Sequence, residues 1–290
     1  MNEQAIAFLN GQFLPLSEAR ISPLDRGFLF ADGVYEVIPV YAGTMFRLEP
    51  HLQRLNNSLA AIRLPLQQDW GTLLTTLIAR NGGGNLYLYL QITRGAPAVR
   101  EHAFPTEAVT PTVFAMARPL KPQPEQVLSE GMSLALVDDL RWQLCHIKSV
   151  ALLANVLARQ EAVERGCNDA LLVRDGHLTE TSAGNVFLIK DGVIYTPPKD
   201  QHILHGITRE VILELAATSQ ISVREQAIPV DFLEQADEVW LSSTTRELVP
   251  VTSVNNSSIG DGKPGPLWRR LWTLYQDAKV RECGLPTSEP

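Results

Sequence analysis

The sequence predicts an α+β protein of two domains. Its 290 residues are many for one hydrophobic core, helical and strand patterns follow one another without a regular βαβ rhythm, and residues 118–124 (RPLKPQP) contain three prolines. Because proline continues neither a helix nor a central strand, this stretch is predicted to be an extended linker. We therefore expect a smaller α+β domain at 1–118, a linker at 119–125 and a larger α+β domain at 126–290.

The N-terminal domain shows both periodicities. Asn10-Gly11 between apolar pairs is typical of a hairpin turn. Apolar residues at helical spacing predict a helix over 49–62, and Asp69 is placed to cap another that runs to about 80. Alternating or β-rich sequences predict strands at 33–41, 86–93 and 112–117.

In the C-terminal domain the clearest helix is predicted at 149–165, with Ser149 as its N-cap and Gly166 after its end. Further helices are predicted at 208–218 and 266–280. Strands are predicted at 132–137, 170–173, 185–189, 193–196 and 239–242.

Composition argues against several kinds of protein. There are 25 Lys and Arg against 32 Asp and Glu, and the net charge of −7 disfavours a nucleic-acid or anionic-membrane binder. No stretch reaches the roughly 20 apolar residues of a membrane span, and no secretory signal is recognised, so we expect a cytoplasmic protein. The cysteines, Cys145, Cys167 and Cys283, fit neither a disulfide framework nor a zinc site, and no metal ligand is predicted.

Familiar catalytic motifs are missing as well. The sequence has no GxGxxG after a strand, no Walker A, no HExxH and no GxSxG. Dehydrogenase, NTPase, metalloprotease and α/β-hydrolase functions therefore lose their main support.

Lys148 lies in the largely apolar sequence LCHIKSV, just before the strongest predicted helix. Burial disfavours the charged form of a lysine, and a neutral amine can attack an aldehyde. By itself, however, this segment is more typical of a surface lysine whose ammonium group stays in water.

Five ordered blocks change that interpretation: DRGFLFADGVYEV (25–37), the segment 140–162, TETSAGNVF (179–187), LHGITRE (204–210) and SSTTRELVPV (242–251). Together they resemble the aminotransferases of fold type IV, which include D-amino-acid aminotransferases, branched-chain aminotransferases and aminodeoxychorismate lyases. The resemblance covers nearly the whole chain. It implies the two-domain fold of a D-amino-acid-aminotransferase-like enzyme with pyridoxal 5'-phosphate (PLP) as cofactor.

The resemblance assigns three residues to the ring and the aldehyde of the cofactor. Lys148 matches the lysine that forms the Schiff base and then moves the substrate proton. Glu180 matches the carboxylate that keeps the ring nitrogen protonated, and Leu204 matches an apolar residue packed on the ring. Without the resemblance, Glu180 would be interpreted as an exposed hairpin carboxylate and Leu204 as a core residue.

The cofactor phosphate would bind at the start of the helix predicted at 208–218, where free N–H groups favour an anion. Arg54 matches the arginine that grips this phosphate, and its planar guanidinium suits the task. The resemblance assigns the other contacts to Gly206, Ile207, Thr208, Ser243 and Thr244.

Arg100 and His102 match the R-x-H pair of D-amino-acid aminotransferases, which together with a tyrosine, here Tyr35, binds the substrate carboxylate. Branched-chain enzymes and the lyases lack this pair. The resemblance therefore implies transamination between D-amino acids and 2-oxo acids, for example D-alanine with 2-oxoglutarate. The preference for the D enantiomer comes from the resemblance, because the residues alone do not determine which enantiomer reacts.

Other functions stay open at this stage. Within the class they are an aminodeoxychorismate lyase and a branched-chain or amine transaminase, and outside it a PLP-binding scaffold without activity. The resemblance also implies a homodimer and gives Glu36 and His51 supporting positions. It does not identify the preferred amino donor.

Overall fold

The computed structural model describes residues 5–285, and residue contacts divide them into two units. The first unit contains the described residues up to Lys121, the segment Ile147–Ala151 and the described residues from Glu282 onward. The second contains Pro122–His146 and Leu152–Arg281. Lys148 thus groups with the first unit, whereas the sequence placed it beyond the linker in the C-terminal domain.

Both units mix helices with sheets, which confirms the predicted α+β class. The helices are α1 Arg26–Phe30, α2 Leu48–Ala61, α3 Trp70–Arg80, α4 Glu125–Glu130, α5 Leu153–Glu164, α6 Ile207–Thr218 and α7 Pro266–Cys283. The strands are β1 Ile6–Leu9, β2 Gln12–Pro15, β3 Gly33–Tyr41, β4 Thr44–Met45, β5 Leu86–Thr93, β6 Thr112–Pro119, β7 Met132–Asp138, β8 Asp169–Arg174, β9 His177–Thr181, β10 Gly184–Lys190, β11 Val193–Thr196, β12 Val223–Glu225, β13 Ile228–Pro229, β14 Glu238–Ser243, β15 Glu247–Val254 and β16 Ser257–Ser258.

The first unit is built on a six-stranded antiparallel sheet in the order β2-β1-β6-β5-β3-β4. Asn10 and Gly11 both have positive φ and make the predicted turn between β1 and β2. Strand β5 buries alternate residues, and Leu88 and Leu90 belong to the same core cluster as Leu55 of α2 and Leu74 of α3. Asp69 caps α3 as predicted, accepting a hydrogen bond from the N–H of Thr72 at 3.0 Å.

The second unit contains a ten-stranded sheet in which β10, β14, β15, β7, β8 and β9 pair in succession. Strand β9 also pairs with β10, so these strands form a closed ring. Helix α5 packs on β7 and β8 through the small residues Ala158 and Ala162. Glu180 lies on β9, in the closed part of the sheet.

The helix predicted at 149–165 is shorter than expected. It begins at Leu153, and no side chain caps its N-terminus, so the prediction that Ser149 is the N-cap is wrong. Instead, residues 148–150 run alongside β3: Tyr35 N–H donates to the Lys148 carbonyl at 2.9 Å, and Val150 N–H donates to the Gly33 carbonyl at 3.1 Å. These inter-segment hydrogen bonds compete successfully with a further helical turn.

Two buried strands, β9 and β15, were not predicted. Both contain polar residues that interrupt apolar alternation. Among residues 5–285, no helix is long and apolar enough to cross a membrane.

Candidate active site

Lys148 is held by the backbone of the first unit. Its N–H donates to the Ser58 hydroxyl at 3.2 Å, and its carbonyl accepts from Tyr35 N–H. The Lys148 Nζ lies 4.3 Å from the centroid of the Tyr35 ring, which stacks on Tyr89 at 5.5 Å. Tyr35 of β3 therefore contacts both the main-chain carbonyl and the side-chain amine of Lys148.

Glu36, His51 and Arg54 form a buried charged cluster in the same unit. Arg54 donates to both carboxylate oxygens of Glu36, with Nε at 2.9 Å, and His51 Nδ1 lies 3.0 Å from Glu36 Oε1. Burial alone would raise the pKa of Glu36, but Arg54 and His51 outweigh it and hold that pKa far below its usual range. Burial also lowers the pKa of His51 despite the opposing effect of Glu36.

The loop between β5 and β6 carries Arg100 and His102, whose side chains are exposed. Both contact Phe30: the Arg100 guanidinium lies 4.6 Å from the ring centroid, and the His102 ring centroid lies 5.0 Å away. Within residues 5–285, no hydrogen bond or ring contact joins Tyr35 to either residue. The structure thus brings Arg100 and His102 together, and Tyr35 and Lys148 together, as two separate pairs.

Glu180 is only 4% exposed and is the centre of a polar network in the second unit. Arg141 donates to Glu180 Oε2, and Asn185 Nδ2 donates to Glu180 Oε1 at 3.0 Å. Arg141 is itself fixed by Asp139 through two hydrogen bonds of 2.8 Å. Burial raises the pKa of Glu180, and the opposing effect of Arg141 does not cancel this shift.

The start of α6 offers unpaired N–H groups. Its N-cap is Gly206, so no side chain caps the first turn, and Ile207 and Thr208 are both buried there. A Cβ at position 206 would lie 2.1 Å from Asn185 Oδ1, so only glycine fits. Asn185 also donates to the Leu204 carbonyl at 2.9 Å, which links the Glu180 network to this turn.

Ser243 ends β14, and Thr244 opens the turn to β15. This turn is anchored by Arg246, which pairs with the fully buried Asp169. Asp169 also accepts a hydrogen bond from Ser182, two residues after Glu180. One buried carboxylate therefore positions both the Ser243–Thr244 turn and the end of β9.

Sequence reasoning missed the role of Asn185 and the partnership of Arg141 with Glu180. Asn185 had a detectable signal, since it is a polar residue that begins an otherwise apolar strand, and a buried amide requires partners. The contact of Arg141 with Glu180 has no sequence signal, because the two residues lie 39 positions apart. Within the described part of the chain, no group of three or more His, Cys, Asp or Glu residues could hold a metal ion.

Comparison with known proteins adds a family match. The amino-transferase class IV family matches residues 33–254. D-alanine aminotransferase of Staphylococcus haemolyticus is 41% identical over 91% of this chain and 94% of its own length. D-alanine aminotransferase of Bacillus licheniformis is 41% identical over 94% of this chain and 96% of its own length.

Solved structures with a similar fold are branched-chain amino acid aminotransferases. The Escherichia coli enzyme has a TM-score of 0.90 at 26% identity and covers 96% of both chains. A second such enzyme, from T.th. and solved with pyridoxamine 5'-phosphate, has a TM-score of 0.87 at 28% identity, covering 96% of this chain and 95% of that one.

Proposed function

Because the chain belongs to the amino-transferase class IV family, we propose that it catalyses transamination between D-amino acids and 2-oxo acids. D-alanine and 2-oxoglutarate, for example, are converted to pyruvate and D-glutamate. The observation that carries this proposal is the 41% sequence identity to D-alanine aminotransferases of two bacterial genera, which extends over 91% and 94% of this chain. The R-x-H pair at Arg100 and His102 supports it from the sequence.

The cofactor we propose is pyridoxal 5'-phosphate. When bound, it supplies an aldehyde that receives the amino group and a ring that withdraws electrons from the substrate Cα. The residues fit such a group, because the chain offers an oriented lysine, a buried carboxylate and an uncapped helix N-terminus. The related branched-chain enzyme from T.th. was solved with the pyridoxamine form.

Lys148 has two tasks in this proposal. Its Nζ would hold the cofactor through the aldehyde and, when free, would move a proton from the substrate Cα. Ser58 and Tyr35 bind the main chain of Lys148, so the position from which its side chain extends is fixed.

Glu180 would hold a proton at the ring nitrogen of the cofactor. An ion pair at that nitrogen would strengthen the electron-withdrawing effect of the ring. Arg141 and Asn185 each donate to Glu180 and fix both of its oxygens, so the carboxylate cannot turn away.

The phosphate is assigned to the N–H groups and side chains at Gly206, Ile207 and Thr208, to Ser243 and Thr244, and to Arg54. The uncapped first turn of α6 supports this assignment, because its N–H groups favour an anion. Arg54 is held by Glu36 through two of its N–H groups, which fixes the plane of the guanidinium.

The substrate carboxylate is assigned to Arg100, His102 and Tyr35. A guanidinium binds a carboxylate with two parallel hydrogen bonds, and the imidazole and phenol add one donor each. A fixed carboxylate allows only one enantiomer to present its Cα–H to the lysine. The names of the relatives identify that enantiomer as D.

A branched-chain aminotransferase is the second candidate, because the solved structures with a similar fold carry that name. An aminodeoxychorismate lyase remains the alternative with a different reaction. Mixing the PLP-loaded protein with D-alanine, L-leucine or a carboxylate-free amine separates the candidates. Bleaching of the cofactor absorption band by D-alanine alone is expected, whereas bleaching by L-leucine alone would move the assignment to the branched-chain enzymes.

We also propose that the protein is a homodimer. Helix α5 buries Ala158 and Ala162 but leaves Leu153, Val156 and Leu157 72%, 58% and 58% exposed. A row of large exposed apolar side chains on one helix is typical of a protein interface. A second copy of the chain is the partner that this face would bury.

The cytoplasm is the compartment we propose. Cys145 and Cys167 are buried free thiols, as in a reducing environment.

A further inference from the structure

Arg26 opens helix α1 within the DRGFLFADG block, and the proposed reaction assigns it no role. Its side chain is 3% exposed, so its charge must be fully satisfied inside the first unit. The guanidinium meets this requirement with main-chain carbonyls of one loop and with the carboxylate of Asp32. That loop, between β5 and β6, is the one that carries Arg100 and His102.

The contacts of Arg26 follow the loop residue by residue. Nη1 donates to the carbonyls of Glu101 and Ala103, the latter at 3.2 Å, and Nη2 donates to the carbonyl of His102 at 3.1 Å. The main-chain N–H of Arg26 also donates to the Gly95 carbonyl at 2.9 Å. One residue therefore fixes the loop near its start and along the three residues that follow Arg100.

The orientation of Arg26 is itself fixed by a buried ion pair. Its Nε donates to Asp32 Oδ2 at 2.7 Å. Arg94 donates to both oxygens of Asp32, at 2.7 and 2.9 Å, and to the Ile62 carbonyl at the end of α2. Arg26 thus connects the loop to the packed part of the unit.

Phe30 completes the arrangement. It lies on α1, one turn after Arg26, and the Arg26 guanidinium is 4.9 Å from its ring centroid. Arg100 and His102 contact the same ring. Residues 94–111 form neither helix nor strand, so no regular backbone pairing orients Arg100 and His102, and contacts such as these hold that part of the loop.

We propose that Arg26 is a positioning residue for substrate recognition: by binding the carbonyls of Glu101, His102 and Ala103, it sets the loop so that Arg100 and His102 present their donors to the substrate carboxylate. This inference rests on the proposed D-amino-acid transamination. Arg26 itself touches no substrate.

The test is the steady-state kinetics of the PLP-loaded Arg26→Lys variant with D-alanine and 2-oxoglutarate. Lysine keeps the charge beside Asp32, but its N–H donors share one nitrogen and cannot reproduce the planar fork by which the guanidinium reaches Asp32 and three carbonyls together. We expect the KM for D-alanine to rise roughly tenfold to a hundredfold while kcat changes less than about threefold, since binding geometry and not the chemical step is altered. Arg165→Lys is the matched control, because Arg165 also donates to a carbonyl, that of Leu136, but lies on the second unit.

A second comparison separates positioning from general support of the fold. In the Arg100→Ala/His102→Ala background, Arg26→Lys should add little to the KM effect, because both residues through which it acts are gone. If Arg26→Lys raised the KM for D-alanine by the same factor in both backgrounds, the inference would be overturned. An unchanged KM in a folded Arg26→Lys variant with wild-type cofactor absorption would also overturn it.

Arg26→Gln, which keeps an amide donor, serves the same measurements if the lysine variant does not fold. Activity of the wild type with D-alanine reports on the proposed function alone. An active wild type with an unaffected KM in the variant therefore refutes the role of Arg26 and leaves the proposed function standing.

Discussion

Glu180 shows how a single residue is adjusted for the proposed chemistry. Burial pushes its pKa up, whereas Arg141 and Asn185 donate to its two oxygens and stabilise the ionised form. These opposing effects produce a carboxylate that can share a proton with a ring nitrogen. A carboxylate in open water would stay ionised and mobile.

Glu180→Gln should lower kcat with D-alanine by about a hundredfold and leave KM within a few-fold, since it removes charge stabilisation at the ring nitrogen. Kinetics and the absorption spectrum of the bound cofactor measure both effects. Glu234→Gln, at an exposed carboxylate, is the control. A kcat close to that of the wild type would show that Glu180 does not act on the ring.

Glu36 leads to a prediction about acid stability. Its folded pKa lies below the ordinary value of 4.5 because Arg54 and His51 outweigh burial. A carboxylate with a lowered pKa stabilises the fold above its unfolded pKa, and this contribution disappears as the pH falls towards the folded value.

Glu36→Gln should therefore lower the free energy of unfolding at pH 7 by about 3 kcal/mol or more, because it breaks the buried ion pair between Glu36 and Arg54. The difference from the wild type should shrink as the pH falls below about 4.5, where the wild type begins to lose the same contribution. Urea unfolding of the cofactor-free protein at pH 7, 4 and 3 measures it. A difference that is constant across this range would contradict the assigned ion pair.

At the scale of elements, the segment 147–151 and helix α5 show where sequence patterns reach their limit. Apolar residues run from Val150 through the helix, so periodicity predicts one continuous helix from Ser149. Pairing with Gly33 and Tyr35 of β3 keeps residues 148–150 extended, and the helix begins at Leu153. Sequence periodicity cannot predict this tertiary interaction, which orients the lysine proposed to be catalytic.

Helix α5 is also the basis of the proposed dimer, because Leu153, Val156 and Leu157 are exposed together on one helix. Val156→Glu should convert a wild-type dimer into a monomer, since a buried unpaired charge is costly at an interface. Light scattering coupled to size-exclusion chromatography measures the mass. Gln126→Glu, at an exposed polar position on α4, should leave the dimer intact. A monomeric wild type would refute the assignment of this face.

At the scale of the whole molecule, the sequence predicts the fold class and most elements, because apolar alternation such as LYLYLQIT and caps such as Asp69 correspond directly to burial and hydrogen bonding. Strand β9 was missed because its buried Thr179, Glu180 and Thr181 are satisfied by interior polar partners and not by apolar packing. The resemblance supplied the candidate site residues. The hydrogen bonds of Asn185 and Arg26 to the main-chain carbonyls of Leu204 and Ala103 are tertiary contacts that the motifs do not specify.

Pyruvate formation from alanine and 2-oxoglutarate, compared for the D and L enantiomers with the wild type and Lys148→Ala, tests the central claim most directly. We expect the wild type to form pyruvate from D-alanine only, and the Lys148→Ala variant to form none above background. Equal turnover of L-alanine, absence of turnover with D-alanine, or full activity without Lys148 would contradict it.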